Sequence, residues 1–280
     1  MKQWIGLLLS LFCFGCSTQI ASQFVYSNAD WLTVRYLEEY VELTGEQEEI
    51  IKRKTRLYAQ WHQQNELPLY SEQLEYVAQI SPQHFTEEDL LSLQASIKER
   101  VQVLVEKAAP DILTLTRSLS DSQVNDFMAH ITEKHRKTAA RLNEREQSES
   151  RNRYAIRIQE TTEEWLGSVN SDQKQAIESW AQDILATSNE WIEYQSNLRL
   201  EIEKLLANRQ NPTYLMTNFN QLIYFPETYY PAGLKKKRAH NLSVANKYIV
   251  TIIRSMDEKQ TKHLREELLE WHELILALQS

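Results

Sequence analysis

An all-α fold is what this sequence predicts: an irregular bundle of about eight to ten helices with a long charged helical hairpin arm. Three observations carry that reading. Only five glycines and six prolines occur in 280 residues, so backbone breakers are sparse, while the good helix formers Glu, Gln, Leu, Ala and Arg are abundant. Apolar residues recur every three or four positions over long stretches, the spacing of one helical face. No window keeps the strict apolar–polar alternation of a half-buried strand.

The chain opens with one cation, Lys2, an apolar stretch from Trp4 to Phe14, and then Gly15-Cys16-Ser17-Thr18. A positive end, a short apolar run and a small residue before the scissile bond are the anatomy of a secretory signal. The run falls well short of the about 20 apolar residues that span a bilayer. With a cysteine directly after the cut, it resembles a bacterial lipoprotein signal, although Cys13 stands where such signals usually carry Leu. The resemblance implies removal of residues 1–15, a lipid on Cys16, a tether over 16–27 and a single helical domain over 28–280. It also implies anchoring at the periplasmic face of the outer membrane, since Ser rather than Asp follows the cysteine. The competing reading is a secreted protein cut elsewhere. Cys13 and Cys16 are the only cysteines, so the body has no disulfide framework, thiol nucleophile or cysteine metal site.

From Asn28 a helix is expected, with Asn28 and Asp30 supplying capping chemistry and Trp31, Val34, Leu37 and Val41 forming its apolar stripe. A second runs from Thr44 to near Glu66, where Leu67-Pro68 stops it, because the residue before proline is pushed out of the α region. A short segment over 69–80 leads to Ser81-Pro82, and Thr86 opens a helix with Leu90, Leu93, Ile97, Val101, Leu104 and Val105 on one face. Pro110 should kink or break that helix, since it lacks an N–H and crowds the preceding turn. Residues 120–167 are mostly charged, with sparse anchors at Phe127, Ile131, Leu142, Ile156 and Ile158, and make the arm. One long helix is expected from Ser171 to Ala207, closed by Asn211-Pro212. Helices near 233–255 and 258–278 finish the chain.

A five-residue pattern marks four of these starts: an apolar residue, a capping side chain, two variable positions and Gln. It occurs at Leu43-Thr44-Gly45-Glu46-Gln47, Leu119-Ser120-Asp121-Ser122-Gln123, Val169-Asn170-Ser171-Asp172-Gln173 and Met256-Asp257-Glu258-Lys259-Gln260. This is the chemistry of a capping box, in which the cap accepts from the third helical amide and Gln reaches back to the cap's own N–H. Phe85-Thr86-Glu87-Glu88-Asp89 is a version without Gln. Any all-α protein accumulates such boxes. The segments also resemble the LTxxQ motif of small periplasmic chaperones of the Spy and CpxP kind, and that resemblance implies binding of unfolded envelope proteins. Only 43–47 has both Leu and Thr in place, and the irregular spacing excludes a solenoid.

A whole-length resemblance is to a proteobacterial outer-membrane lipoprotein family known only as a domain of unknown function. It rests on the lipid-bearing cysteine, Asn28-Ala29-Asp30-Trp31-Leu32, Tyr36-Leu37-Glu38-Glu39-Tyr40, Leu43 to Gln47 followed by Trp61-His62, Leu67-Pro68, and the helix through Gln260, Leu264 and Leu268. It implies location and architecture without a mechanism.

Two surfaces are candidates for binding. Lys134, Lys137, Arg141 and Arg145 share one helical face. Residues 134–157 hold eight Lys or Arg against three Glu in a chain of net charge −8, so this arm either contacts anionic envelope surfaces or is a solvated face. The overall acidity opposes nucleic acid as a partner. Tyr214, Phe219, Tyr224, Phe225, Tyr229 and Tyr230 precede Lys235-Lys236-Lys237-Arg238; they form either an adhesive aromatic–cation surface or packing under a proline-bounded connection. His130 and His135 are five apart and miss the shared-face spacing of a helical zinc site. No catalytic, cofactor-binding or metal residues are expected. The expected role is non-enzymatic: a lipid-anchored periplasmic binding or chaperone-like protein that contacts the membrane through its lipid, and envelope proteins or anionic surfaces through its helices. The alternatives are an accessory lipoprotein with one dedicated partner and, remotely, a metal- or carboxylate-dependent hydrolase.

Overall fold

The computed structural model describes residues 18–143 and 147–279. Among them are twelve α-helices, two short 3-10 turns and no strand, so the all-α expectation holds. The helices group into two compact units, Met1–Gln79 with Arg265–Ser280, and Ile80–Leu264.

In the first unit, α1 (Thr18–Ser27) and α2 (Ala29–Glu38) follow each other almost without a break. Residues 16–27 read from sequence as a tether; from Thr18 onward they are helical, and 16 and 17 lie outside the described residues. Then come α3 (Gly45–Asn65) and α4 (Leu67–Gln79). Leu67-Pro68 ends α3 as expected, but Pro68 then serves in the first turn of α4, where a missing N–H costs nothing. Helix α3 packs on both α2 and α4. Val34, Val41, Leu43, Ile51 and Leu67 are buried here, as are Leu268, Leu274 and Ile275 from the end of the chain. Asp30 bonds Arg56 at 2.6 Å, and its carboxyl is held below the usual range, first by the Trp31 N–H and then by Arg56.

The second unit contains α5 (Glu87–Ser118), α6 (Asp121–Asn143), α7 (Gln147–Leu166), α8 (Ser171–Asp183), α9 (Ser188–Ala207), α10 (Pro212–Tyr224) and α11 (Ala232–Arg254). The last helix, α12 (Glu258–Gln279), starts in this unit and ends in the first. Its main core joins Leu166, Ala176, Ile177, Trp180, Val244, Tyr248, Ile252 and Met256. Trp180 stacks on Tyr248, with planes 12° apart and centroids 6.4 Å apart. A second cluster joins Ala109, Leu205, Leu215 and Phe219. Each large side chain buried in these clusters contributes about 1.5–3 kcal/mol.

Two expectations are corrected. Of the kink or break expected at Pro110, the break does not occur, and helix α5 runs on through that residue. That residue is exposed, and so is Glu106, whose carbonyl loses its helical donor and can turn to water. The run from Ser171 to Ala207 is two helices, interrupted at residues 184–187. Side chains of α11 satisfy the interrupted backbone. Asn241 exchanges two hydrogen bonds with Leu185, Lys237 donates to the Ala186 carbonyl, and His240 lies 2.9 Å from the Asp183 carbonyl. The charged arm consists of α6, which packs on α9, and α7, which packs on α8.

Candidate functional site

All four Gln-containing motifs form capping boxes. Thr44, Ser120, Asn170 and Asp257 accept from the amides of Gln47, Gln123, Gln173 and Gln260 at 2.8–3.3 Å. Each Gln Oε1 in turn accepts from its cap's N–H at 2.9–3.1 Å. Thr86 and Asp89 make the Gln-less version. What sets the four glutamines apart is burial: Gln47 and Gln123 are 7% exposed, Gln260 1% and Gln173 0%.

Two of the motifs meet. Gln173 Nε2 donates to Gln260 Oε1 at 3.1 Å, and Gln260 Nε2 returns the bond to Gln173 Oε1 at 2.8 Å. The remaining donors are also used, Gln173 on the Ile252 carbonyl and Gln260 on the Ser168 carbonyl. Asn170 adds a bond to the Ser255 carbonyl. Each amide therefore makes two acceptor and two donor contacts in a buried site, a complete use of its hydrogen-bonding capacity. The starts of α8 and α12 are locked face to face, with Val169 and Met256 in the adjoining core. The sequence shows the caps but not this pairing, because no local signal says which helix start will face which.

The basic face is partly as expected. Lys134, Lys137 and Arg141 are exposed on α6, and Arg145 lies outside the described residues. Glu133 sits among these cations, bonded to Arg136 at 2.7 and 2.8 Å and paired with Lys137 at 3.5 Å. Arg136 is the main reason its carboxyl is pulled down to about 2. Between α6 and α9 lies a groove of about 410 Å³, lined by Met128, Ala129, Thr132, Glu133, Arg199 and Glu203. Nearby, His135 has a buried Nδ1 with no hydrogen-bond partner among the described residues, and burial lowers its pKa.

The aromatic segment divides. Phe219 is buried, with Tyr224 packed against its cluster. Tyr230 joins Trp191 and Tyr194 in an edge-to-face group with centroids 4.7–5.8 Å apart. The Arg238 guanidinium lies over Tyr230 and Trp191 and bonds the Tyr230 hydroxyl at 2.7 Å. Tyr214 and Tyr229 are half-buried, and Phe225 is exposed. Packing takes most of these rings, and Lys237 of the following basic run is spent on Glu190 at 2.5 Å.

Elsewhere, Ser71 Oγ lies 2.8 Å from His272 Nδ1, and His272 Nε2 lies 3.3 Å from Glu75. Ser71 is buried in the middle of α4, where the surrounding amides are committed to the helix rather than converging on an oxyanion. The trio ties α12 to α4. In the same unit the Tyr26 hydroxyl bonds His62 at 2.8 Å, and burial lowers the His62 pKa.

Sequence reasoning missed a set of outward apolar pairs. Phe24 and Trp31, Ile50 and Leu57, Leu69 and Tyr76, and Leu269 and Leu276 are all strongly exposed. The last three pairs are each seven residues apart within a single helix, hence on one helical face. The inward stripes dominated the periodicity and hid these outer ones.

Among the described residues, no group of three or more His, Cys, Asp or Glu side chains is placed to hold a metal ion, and no helix is long and apolar enough to cross a membrane. What the fold defines is an all-α protein with buried cap locks and exposed apolar seams. The chain belongs to a family of unknown function, DUF6279, whose model matches residues 39–234. No curated protein and no solved structure matches it.

Proposed function

We propose that this is a lipid-anchored envelope protein of the periplasmic side of the outer membrane. It binds other proteins in a chaperone-like way, by reversible apolar contact rather than bond chemistry. The outward apolar pairs carry the reading. Eight of the seventeen strongly exposed large apolar side chains among the described residues lie in the first unit, the smaller of the two. Single exposed apolar residues are ordinary, whereas several paired seams on neighbouring helices offer grip to an extended or helical client. Burying half of a Leu or Tyr side chain gives about 1 kcal/mol, so a client touching several seams is held weakly and released readily once binding entropy is counted.

A lipid on Cys16 would keep the body at the membrane, and Lys134, Lys137, Arg141 and Arg145 would add attraction to anionic surfaces. The buried glutamine motifs support the scaffold rather than the contact. In-cell crosslinking from Leu57 and Tyr76 tests the reading: many weakly held envelope proteins are expected. One stoichiometric partner would contradict it and favour a dedicated accessory role.

A further inference from the structure

We infer that the outer faces of α3 and α12 bind each other between two copies of this chain, antiparallel, with Arg53 of one copy set against Glu273 of the second. These are the seams read above as client-binding, and the inference rests on that reading: a second copy covers them when no client does. On α3 the exposed residues Ile50, Arg53 and Leu57 share one face, and on α12 the exposed residues Leu269, Glu273 and Leu276 do the same. Two aliphatic side chains flank a cation on the first stripe and an acid on the second. Neither Arg53 nor Glu273 makes an ion pair or side-chain hydrogen bond among the described residues.

Spacing and charge select both the occupant and its direction. Along α3 the steps between these residues are three and then four; along α12, read backwards from Leu276, they are also three and then four. Laid antiparallel, Ile50 therefore meets Leu276, Arg53 meets Glu273 and Leu57 meets Leu269, with the helix dipoles opposed. The flanking sequence is complementary too. Residues 50–65 hold Lys52, Arg53, Lys54 and Arg56 and no acid, whereas residues 266–279 hold Glu266, Glu267, Glu270 and Glu273 and no Lys or Arg. A bilayer or a purely apolar partner would strip water from Arg53 and Glu273 without pairing either, which opposes docking. A second copy pairs both. The stripe of α4, Leu69, Glu72 and Tyr76, is also exposed and centred on an acid. Its steps run in the same order as those of α3, so it matches only in parallel, with the dipoles aligned unfavourably.

The test puts two differently tagged copies of the full chain in one cell. With R53C in one and E273C in the other, mild oxidation should join the two tags by a disulfide. R53C with R53C, E273C with E273C, and R53C with E72C should give no more than the background that Cys13 and Cys16 set in the wild type. Equal yields in all pairings, a higher yield from R53C with E72C, or no yield above background overturns the contact. Charge reversal is the second arm, in chains without added cysteine. Recovery of one tagged copy with the other should fall about tenfold in R53E and return in R53E/E273R, with circular dichroism unchanged throughout. Recovery unaffected by R53E, or not restored by the double variant, also overturns it. Slowed aggregation of an unfolded client judges the client reading separately. A chain that slows aggregation without pairing loses only the self-contact, and one that pairs without slowing it loses only the client reading.

Discussion

Replacing Gln173 with Met keeps the length and volume of the side chain and removes its amide. The Asn170 N–H then loses its acceptor, and Gln260 loses one donor and one acceptor contact in a fully buried site. A lost cap costs about 1 kcal/mol, and buried groups left short of partners cost about 1–3 kcal/mol more. A total of about 3 kcal/mol should lower the melting temperature by about 6–12 °C. Q260M should behave alike. The double variant is the sharper test, because removing both amides also removes the orphaned groups. Its cost should fall below the sum of the two singles by about 1–3 kcal/mol. Thermal melting by circular dichroism, with hydrogen exchange across 168–177 and 252–262, measures all three. Singles costing less than about 0.5 kcal/mol, or strict additivity, would refute the lock.

Three further outcomes follow from the structure. R209A should destabilise by about 2–4 kcal/mol in denaturant titration, because the buried Arg209 serves the Leu119 and Leu206 carbonyls and Asp121 at the turn that opens the second motif. G167A should cost about 1–2 kcal/mol by the same measurement, since φ is +73° and an added Cβ would sit 3.0 Å from the His263 ring. His62 and His135 have pKa values lowered by burial, so below about pH 6.5 the unfolded chain takes up protons that the folded chain resists. Stability should therefore fall as pH drops from 7 through 6 toward 5, and H62Q should flatten that slope. A flat profile across this window would remove these histidines from the account.

The helix starts were legible because capping is local: Thr44, Thr86, Asn170 and Asp257 each announce themselves within five residues. The break at 184–187 was not, because the groups that satisfy it, Lys237, His240 and Asn241, lie more than fifty residues away. Pro110 misled for a related reason. Pro110 lies on the exposed side of α5, where the Glu106 carbonyl can bond water instead of the missing N–H, and the helix continues through it. The aromatic segment left two readings open, and only tertiary contacts with Trp191, Tyr194 and Arg238 show that Tyr230 is packed. The outward seams were in the sequence all along. Distinguishing Leu57 and Tyr76 from core residues, however, requires knowing which face the neighbouring helix occupies.

The central claim is that exposed apolar seams of the first unit hold client proteins. Light scattering of a chemically unfolded client, diluted into excess protein, tests it most directly. Wild type should slow aggregation, and the variant carrying L57S, Y76S and L276S should lose most of that effect while keeping its helical content. If wild type leaves aggregation unchanged, or the triple variant protects equally well, the seams are not the binding surface.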